Sequence, residues 1–204
     1  MTKRAKELIN AISLGDGHIR RQGNCYSLCV RHGAGQEELI NTKAKWLMDE
    51  LGIRINVSPF INNGYPAFRF QVATKYNKFT HGWLYHGTSK IITLSFLRRL
   101  TDEGVAIWYM DDGSLTRKKR HGRTHAYDLV ISLYATEREA NDCIVFFRER
   151  YGVGFKLKRN KGKFSIRCGT QEARKLLYRI GAYIIPSMSY KTFTQEPSTA
   201  ERPR

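Results

Sequence analysis

The chain has 204 residues and a formal net charge of +17, with 41% hydrophobic and 12% aromatic residues. These aromatic and apolar contents exclude a disordered chain, and no apolar run approaches the roughly 20 residues of a membrane span. The excess of basic residues predicts a polyanionic partner. We expect no membrane association, because no lipidation motif or basic amphipathic anchor stands out.

The four cysteines, Cys25, Cys29, Cys143 and Cys168, include no CxxC pair. Cys25 and Cys29 with His32 form a partial set of zinc ligands, but a fourth partner is missing. We therefore interpret them as strand residues and expect reduced thiols in an intracellular compartment, since no signal peptide follows the basic N-terminus.

The predicted elements occur twice, in the same order. An apolar helix over residues 8–15 ends at Asp16-Gly17, and a second over 104–111 ends at Asp112-Gly113, 96 positions later. Each is followed by a hairpin and then by an amphipathic helix that stops at a glycine, Gly52 or Gly152. The apolar faces of these helices are Ile40, Ala44, Leu47 and Leu51 in one half, and Ala140, Ile144, Phe147 and Tyr151 in the other.

A second hairpin completes each half. Residues 68–72 and 164–168 alternate apolar and polar side chains, as do 155–158, with turns at 62–64 and 160–162. Residues 116–127 are interpreted as a longer connection, and Thr74 and Thr170 as caps of a last helix. The sequence therefore predicts an α+β fold of two helix-hairpin-helix-hairpin-helix repeats, at 5–93 and 94–192. We expect the polar segment 193–204 to be disordered.

The exposed positions of the predicted strands carry donors and no acids, which favours nucleic-acid contact over an ordinary solvated face. These positions are His18, Arg20, Gln22, Ser27, Cys29, Arg31, Arg54, Asn56, Arg69, Gln71, Ser114, Thr116, Lys118, Lys156, Lys158, Ser165 and Arg167. A β-ribbon fits the major groove, so we predict double-stranded DNA as the partner. Two similar but unequal halves predict a monomer that reads an asymmetric site.

Asp16 and Asp112 each end an apolar helix, where the helix dipole disfavours an acid. The carbonyls of Gly15 and Asp111 add oxygen atoms at the same ends. Carboxylate and carbonyl oxygens are the ligands of Mg²⁺, so the pattern predicts a metal site formed by both halves. Beside a basic surface, such a site predicts phosphodiester hydrolysis, with one carboxylate for each strand. We expect the two apolar helices to pack side by side, which brings the two acids together.

At these residues the chain resembles the LAGLIDADG homing endonucleases of the monomeric, two-repeat, intron-encoded type. The motifs are Ile9-Asn10-Ala11-Ile12-Ser13-Leu14-Gly15-Asp16-Gly17 and Val105-Ala106-Ile107-Trp108-Tyr109-Met110-Asp111-Asp112-Gly113. The stretch Ile185-Pro186-Ser187-Met188-Ser189-Tyr190-Lys191 also looks like a diverged branch of that family.

The resemblance implies two αββαββα units whose sheets form a saddle over the major groove. It also implies that Asp16 and Asp112 bind Mg²⁺, and that a lysine from each half, Lys90 or Lys191, lies near the phosphates that are cut. The expected activity is a staggered double-strand break that promotes intron mobility. We expect Mn²⁺ to substitute for Mg²⁺ and Ca²⁺ to support binding without cleavage.

Two other functions suit the same charge and fold. The chain could be an intron RNA maturase or a DNA-binding regulator, but neither needs both carboxylates. A histidine-metal nuclease is disfavoured, because His121 and His125 flank a basic hairpin and fit phosphate contacts better. The sequence does not reveal the target site or the host compartment.

Overall fold

The computed structural model describes residues 1–193; residues 194–204, and with them most of the predicted disordered tail, lie outside the described part. The helices are α1 (Lys3–Leu14), α2 (Glu37–Leu51), α3 (Lys75–Leu84), α4 (Leu94–Leu97), α5 (Asp102–Asp112), α6 (Glu137–Tyr151) and α7 (Thr170–Ile180). The strands are β1 (His18–Gln22), β2 (Cys25–Gly33), β3 (Ser58–Asn62), β4 (Tyr65–Ala73), β5 (Tyr85–His86), β6 (Ser89–Lys90), β7 (Gly113–Arg120), β8 (Arg123–Ala135), β9 (Lys156–Asn160) and β10 (Lys163–Gly169). Phe193, the first residue of the predicted tail, packs against Tyr127.

The strands form two four-stranded antiparallel sheets with the same topology, β1-β2-β4-β3 and β7-β8-β10-β9. Each sheet is preceded by a motif helix, interrupted by the helix between its hairpins and followed by a third helix. The predicted α+β fold with two αββαββα units is thereby confirmed. A small extra hairpin, β5-β6, follows the first unit, whereas 3-10 turns at Gly181–Tyr183 and Pro186–Lys191 follow the second.

Local sequence signals explain most of the element ends. Thr101 caps α5 by accepting a hydrogen bond from the Gly104 amide. The helices α2 and α6 both end at a glycine in the left-handed conformation, with φ of 64° at Gly52 and 62° at Gly152. These stops give α2 and α6 the same length of 15 residues, so their positions correspond one to one.

Two local predictions are wrong. Thr170 does not cap α7, because its hydroxyl accepts a hydrogen bond from the Tyr127 amide of the neighbouring strand instead. Residues 116–127 are not a long connection either. The strands β7 and β8 continue as far as a tight turn at His121 and Gly122. This hairpin is therefore longer than its counterpart in the first unit because its strands are longer, not because its loop is.

The motif helices α1 and α5 pack against each other at the centre of the molecule. The helix α5 is buried along its length from Gly104 to Met110, and α1 is buried from Leu8 to Leu14. Such helices need apolar neighbours on more than one side, and the two sheets with their covering helices supply them. The predicted side-by-side packing is confirmed. None of the helices within residues 1–193 combines the length and the apolar character that a membrane crossing requires.

Candidate active site

The two motif acids lie at the same end of the central helix pair. Asp16 follows α1 after one glycine, and Asp112 is the last residue of α5. Both line one open cleft of about 860 Å³, which also includes Lys90 and which we call the central cleft. The packing of α1 on α5 therefore brings residues from both halves to one site, as the sequence predicted.

Two lysines make matching contacts with the ends of the motif helices. The Lys90 ammonium donates to the carbonyl oxygen of Gly15 at 2.6 Å, and that of Lys191 to the carbonyl of Met110 at 2.6 Å and of Asp111 at 3.3 Å. Lys90 lies on β6 and Lys191 in the last 3-10 turn, so different elements deliver equivalent cations. Burial lowers the pKa of both lysines, whereas the neighbouring carboxylates favour their charged forms.

A buried network that the sequence analysis missed connects the two motifs. The Asp111 carboxylate accepts a hydrogen bond from the Asp16 amide at 3.0 Å and contacts the ammonium of Lys43. The side chains of Lys43 and Asp111 are both fully buried. Asp111 was expected to contribute only its carbonyl, but its carboxylate fixes the backbone at Asp16.

His32 extends this network to the Asp16 carboxylate. Its Nε2 lies 3.0 Å from the Lys43 ammonium, and its Nδ1 lies 3.0 Å from Gln36 Oε1 and 3.4 Å from Asp16 Oδ2. Burial and the charge of Lys43 lower the pKa of His32. A neutral His32 then accepts from Lys43 at Nε2 and carries its proton on Nδ1, toward Gln36 and Asp16.

One sequence signal pointed to Lys43. It lies three residues after Ile40 and four before Leu47, on the face of α2 that was predicted to be apolar and that is buried. A lysine at such a position requires an anion, because an unpaired buried charge is strongly unfavourable. The predicted apolar face of this helix comprised only Ile40, Ala44, Leu47 and Leu51.

Gly15 provides the space into which Asp111 fits. A Cβ atom at Gly15 would lie 2.1 Å from Asp111 Oδ2, much closer than atoms can approach. The equivalent positions of the two motifs thus differ, because Gly15 leaves space in the first motif and Asp111 fills it with a carboxylate from the second.

Burial and neighbouring negative charge raise the pKa of both motif acids. The pKa of Asp112 is about 7, because of burial first and then the charges of Asp111 and Asp16. Burial and Asp111 also raise the pKa of Asp16. Trp108 Nε1 donates to Asp112 Oδ2 at 3.0 Å. A cation bound at this site would favour the ionised forms of Asp16 and Asp112. The site is therefore suited to a cation.

The chemistry of the donors identifies where such a cation fits. Within residues 1–193, one compact group of possible metal ligands is present, Asp16, His32 and Asp111, whose ligand atoms lie within 4.8 Å of one another. Lys43 already provides a cation inside this group. The outward carboxylates of Asp16 and Asp112 face the central cleft and offer the oxygen ligands that Mg²⁺ prefers.

The predicted DNA-contacting side chains are mostly exposed. The exposed members are His18, Arg20, Gln22, Arg31, Arg54, Asn56, Arg69, Gln71, Ser114, Thr116, Lys118, Lys156, Lys158 and Arg167, whereas Cys29 and Ser165 are half-buried. A groove of about 710 Å³ over the first sheet is lined by Asp16 and by most of the first-half members of this set. Phe60 supports this surface, with Arg31 and Arg69 lying 5.7 and 5.1 Å from its ring centre.

Some of these predictions require correction. Ser27 is buried, because its short side chain lies on a central strand between Arg20 and Ala73 of the neighbouring strands. Arg54 and Asn56 precede β3 rather than forming part of it, although both line the first-sheet groove.

The second sheet does carry an acid among its exposed cations. Asp128 of β8 pairs with Lys118 at 3.7 Å and with Arg167 at 3.5 Å. These two side chains must therefore leave Asp128, at least in part, to bind a phosphate. Lys156 and Lys158 make no ion pair with a described residue.

Two alternative metal sites were considered from the sequence, a zinc site at Cys25, Cys29 and His32 and a histidine-metal nuclease centre. The positions of their residues support neither. Cys25 is exposed and Cys29 half-buried, both as free thiols, while His32 is engaged with Lys43 and Gln36. His121 lies in the turn between β7 and β8, away from the central cleft.

Comparison with known proteins places this fold and site in a family. Residues 7–176 match the LAGLIDADG DNA endonuclease family, and the chain belongs to it. The predicted relationship to the LAGLIDADG homing endonucleases is thereby confirmed.

Two curated proteins are similar to the chain in sequence. The chain is 30% identical over 117 residues to "Probable intron-encoded DNA endonuclease 3" of Mycosarcoma maydis, covering 53% of this chain and 79% of the relative. The chain is also 26% identical over 188 residues to "Protein RecA" of Mycobacterium shimoidei, but this match covers only 44% of that protein.

Solved structures share the fold. The homing endonuclease I-WcaI bound to its DNA recognition sequence has a TM-score of 0.78 at 22% identity, covering 93% of this chain and 86% of that one. A variant of I-DmoI with its target DNA in the presence of Mg has a TM-score of 0.53 at 12% identity, covering 88% and 97%. I-DmoI with DNA and Ca has a TM-score of 0.53 at 9% identity, covering 92% and 96%.

Proposed function

We propose that the chain is a monomeric, site-specific homing endonuclease that makes a staggered double-strand break in a long asymmetric DNA target and so promotes intron mobility. The observation that carries this proposal is the pair of matched half-sites at the central helices. Each half offers an acid, Asp16 or Asp112, and a lysine, Lys90 or Lys191, held at the end of a motif helix.

We assign Asp16 and Asp112 to the binding of Mg²⁺, with Gly15 and Asp111 contributing main-chain oxygens. The Gly15 and Asp111 carbonyls already accept a lysine ammonium, but a carbonyl oxygen has a second lone pair. When bound, the cation would polarise the phosphate and favour ionisation of the attacking water. Structures of I-DmoI or its variants with DNA and Mg, Mn or Ca support a divalent cation here. We expect Mn²⁺ to substitute for Mg²⁺ and Ca²⁺ to support binding without cleavage.

The chain's own residues supply the remaining chemistry. Lys90 and Lys191 place a fixed positive charge beside each acid, where it can stabilise negative charge that develops on the phosphate oxygens. Their carbonyl contacts hold them in place before DNA arrives, so little reorganisation is needed. Lys43, Asp111 and His32 hold the backbone and carboxylate of Asp16 in a defined position.

The two sheets are suited to different parts of one duplex. The first-sheet groove presents Arg20, Arg31, Arg69 and Gln71, side chains that can read base edges. The second sheet presents lysines such as Lys156 and Lys158, which fit phosphates. Unequal surfaces on two related halves favour an asymmetric target.

The proposal is tested by incubating the protein with its intron-insertion DNA and Mg²⁺ and mapping both cut ends. We expect staggered cuts, none with EDTA, cleavage with Mn²⁺, and binding without cleavage in Ca²⁺. Asp16→Asn and Asp112→Asn should bind but not cut, and light scattering should give a monomer. Specific binding without any cleavage would instead favour a DNA-binding regulator. Preference for the intron RNA would favour a maturase.

A further inference from the structure

Tyr134 combines an unusual backbone conformation with an exposed side chain in the central cleft. Among the described residues, four non-glycine residues have a positive φ. Asn63, His121 and Lys161 are each followed by a glycine of positive φ in a tight hairpin turn, where this conformation is normal. Tyr134, with φ of 49°, lies within β8, where a bulky residue in this region is strained.

An irregularity of the sheet produces this conformation. Pairing between β8 and β10 shifts register, because Ala135 pairs with Phe164 but Ile131 pairs with Ile166. Three residues of β8 therefore lie opposite a single residue of β10. In the first unit, β2 pairs with β4 without a shift from Ser27 to Gly33. Bulges of this kind redirect side chains and are frequent beside active sites.

The register also places Tyr134 near Asp112. Ile131 pairs with Gly113, the residue directly after Asp112, so β8 continues past the end of α5 at this point. Tyr134 lines the central cleft together with Asp16, Asp112 and Lys90.

The side chain has no role in folding that the described contacts reveal. Its exposed fraction is 74%, and it makes no hydrogen bond or ring contact with a described residue. Strained backbone positions cluster at active sites and ligand-binding positions. Besides Asp16 and Asp112, the cleft carries two acids, Glu139 and Asp142, whose carboxylates accept from the Ile92 and Leu94 amides. Its cations are Lys90 and the exposed Arg138 and Lys163, which can attract a phosphate to this part of the cleft.

We propose that Tyr134 is a DNA-backbone contact of the active site, whose hydroxyl donates to a phosphate beside the one cut at Asp112. This inference rests on the proposed function, since it requires a duplex in the central cleft. Tyrosine hydroxyls are regular donors to DNA phosphates, and a backbone contact fixes the position of the duplex without reading its sequence. Tyr134 would then align the strand with Asp112.

The test compares Tyr134→Gly and Tyr134→Phe with the parent protein. Glycine adopts a positive φ without strain, so Tyr134→Gly should keep its Tm or raise it by up to about 4 °C. The same variant should bind the target duplex about tenfold more weakly in EDTA, as expected when a hydrogen bond to a charged phosphate is lost. Tyr134→Phe should show most of this loss. Tyr178→Phe, at a tyrosine that is 88% exposed and outside the cleft, is the matched control.

Hydroxyl-radical footprinting gives a readout that a merely structural role would not change. Protection beside one cut site should disappear in Tyr134→Gly while the rest of the footprint remains. Unchanged affinity and footprint in Tyr134→Gly would overturn the inference, and so would a clear fall in Tm. If the parent protein binds no duplex at all, the proposed function fails, which is a different result from equal binding by parent and variant.

Discussion

The ammonium of Lys43 and the carboxylate of Asp111 form a buried contact between the two repeats, joining helix α2 of the first to helix α5 of the second. Asp111 in turn accepts a hydrogen bond from the amide of Asp16, so one side-chain pair connects the repeats and fixes the loop that carries Asp16.

Lys43→Met should therefore destabilise the protein by about 3–5 kcal/mol, because it leaves the Asp111 carboxylate buried without a counter-charge. Denaturant unfolding measures this loss. Adding Asp111→Asn to Lys43→Met should recover much of it, since the remaining pair is neutral. Lys45→Met, on the exposed side of the same helix, is the control and should change stability little. Equal effects of Lys43→Met and Lys45→Met would contradict the importance of the buried pair.

Asp112→Asn should make the metal-free protein more stable at pH 7 and above. The pKa of Asp112 is about 7 in the folded protein, above its unfolded value of about 3.9. Between these values the folded state keeps a proton that the unfolded state has lost, so the free energy of unfolding falls as pH rises from about 4 to about 7. The amide removes this dependence and still accepts from Trp108. We expect a gain of roughly 1–3 kcal/mol at neutral pH, measured by unfolding in EDTA.

Asp16→Asn is the matched comparison, since the pKa of Asp16 is raised in the same direction but its side chain is 39% exposed. We expect a smaller gain there. A stability that is flat from pH 4 to pH 7 in the parent protein would show that Asp112 is not perturbed as described.

Lys90→Met and Lys191→Met should each slow the cleavage step on the order of a hundredfold with little change in DNA affinity. The reason is that each ammonium lies at a motif-helix end, beside an acid, and not on the DNA-reading strands. Single-turnover cleavage together with binding in Ca²⁺ separates the two effects. A parallel loss of affinity and rate would instead indicate that these lysines serve mainly to hold the duplex.

Arg69→Ala and Lys156→Ala should weaken binding in different ways. Arg69 lies over the Phe60 ring and lines the first-sheet groove, so we expect a loss of about 1–3 kcal/mol restricted to the target sequence. Lys156→Ala should weaken binding to all duplexes. It should also reduce the slope of log K against log salt by about 1, from a parent slope of about −0.9 per phosphate neutralised. Titrations at several salt concentrations measure both. A parent slope near zero would contradict a phosphate-binding surface.

The sequence predicted those parts of the molecule that depend on local patterns. The glycine stops at Gly52 and Gly152 and the repeated Asp-Gly motifs are local signals, and they define the repeats and the position of both acids. The lysines Lys90 and Lys191 were recognised from the family resemblance, and both lie at the motif-helix ends.

The remaining features depend on contacts between distant segments. The role of the Asp111 side chain requires the void at Gly15, and the bulge at Tyr134 depends on the register between β8 and β10. Thr170 was predicted to cap a helix, but its hydroxyl accepts a hydrogen bond from the Tyr127 amide of a neighbouring strand. Alternation predicted that Ser27 faces outward, whereas its size and its central strand bury it.

The unequal motif pair also makes the two halves depend on each other. Lys43 corresponds to Cys143 in the equal-length helices, just as Gly15 corresponds to Asp111. Two copies of the first half would bring together two Lys43 side chains without an Asp111, and two copies of the second would bring together two Asp111 side chains without a Lys43. Each half therefore lacks the buried partner that the other supplies, so a homodimer of either half would not reproduce this central ion pair.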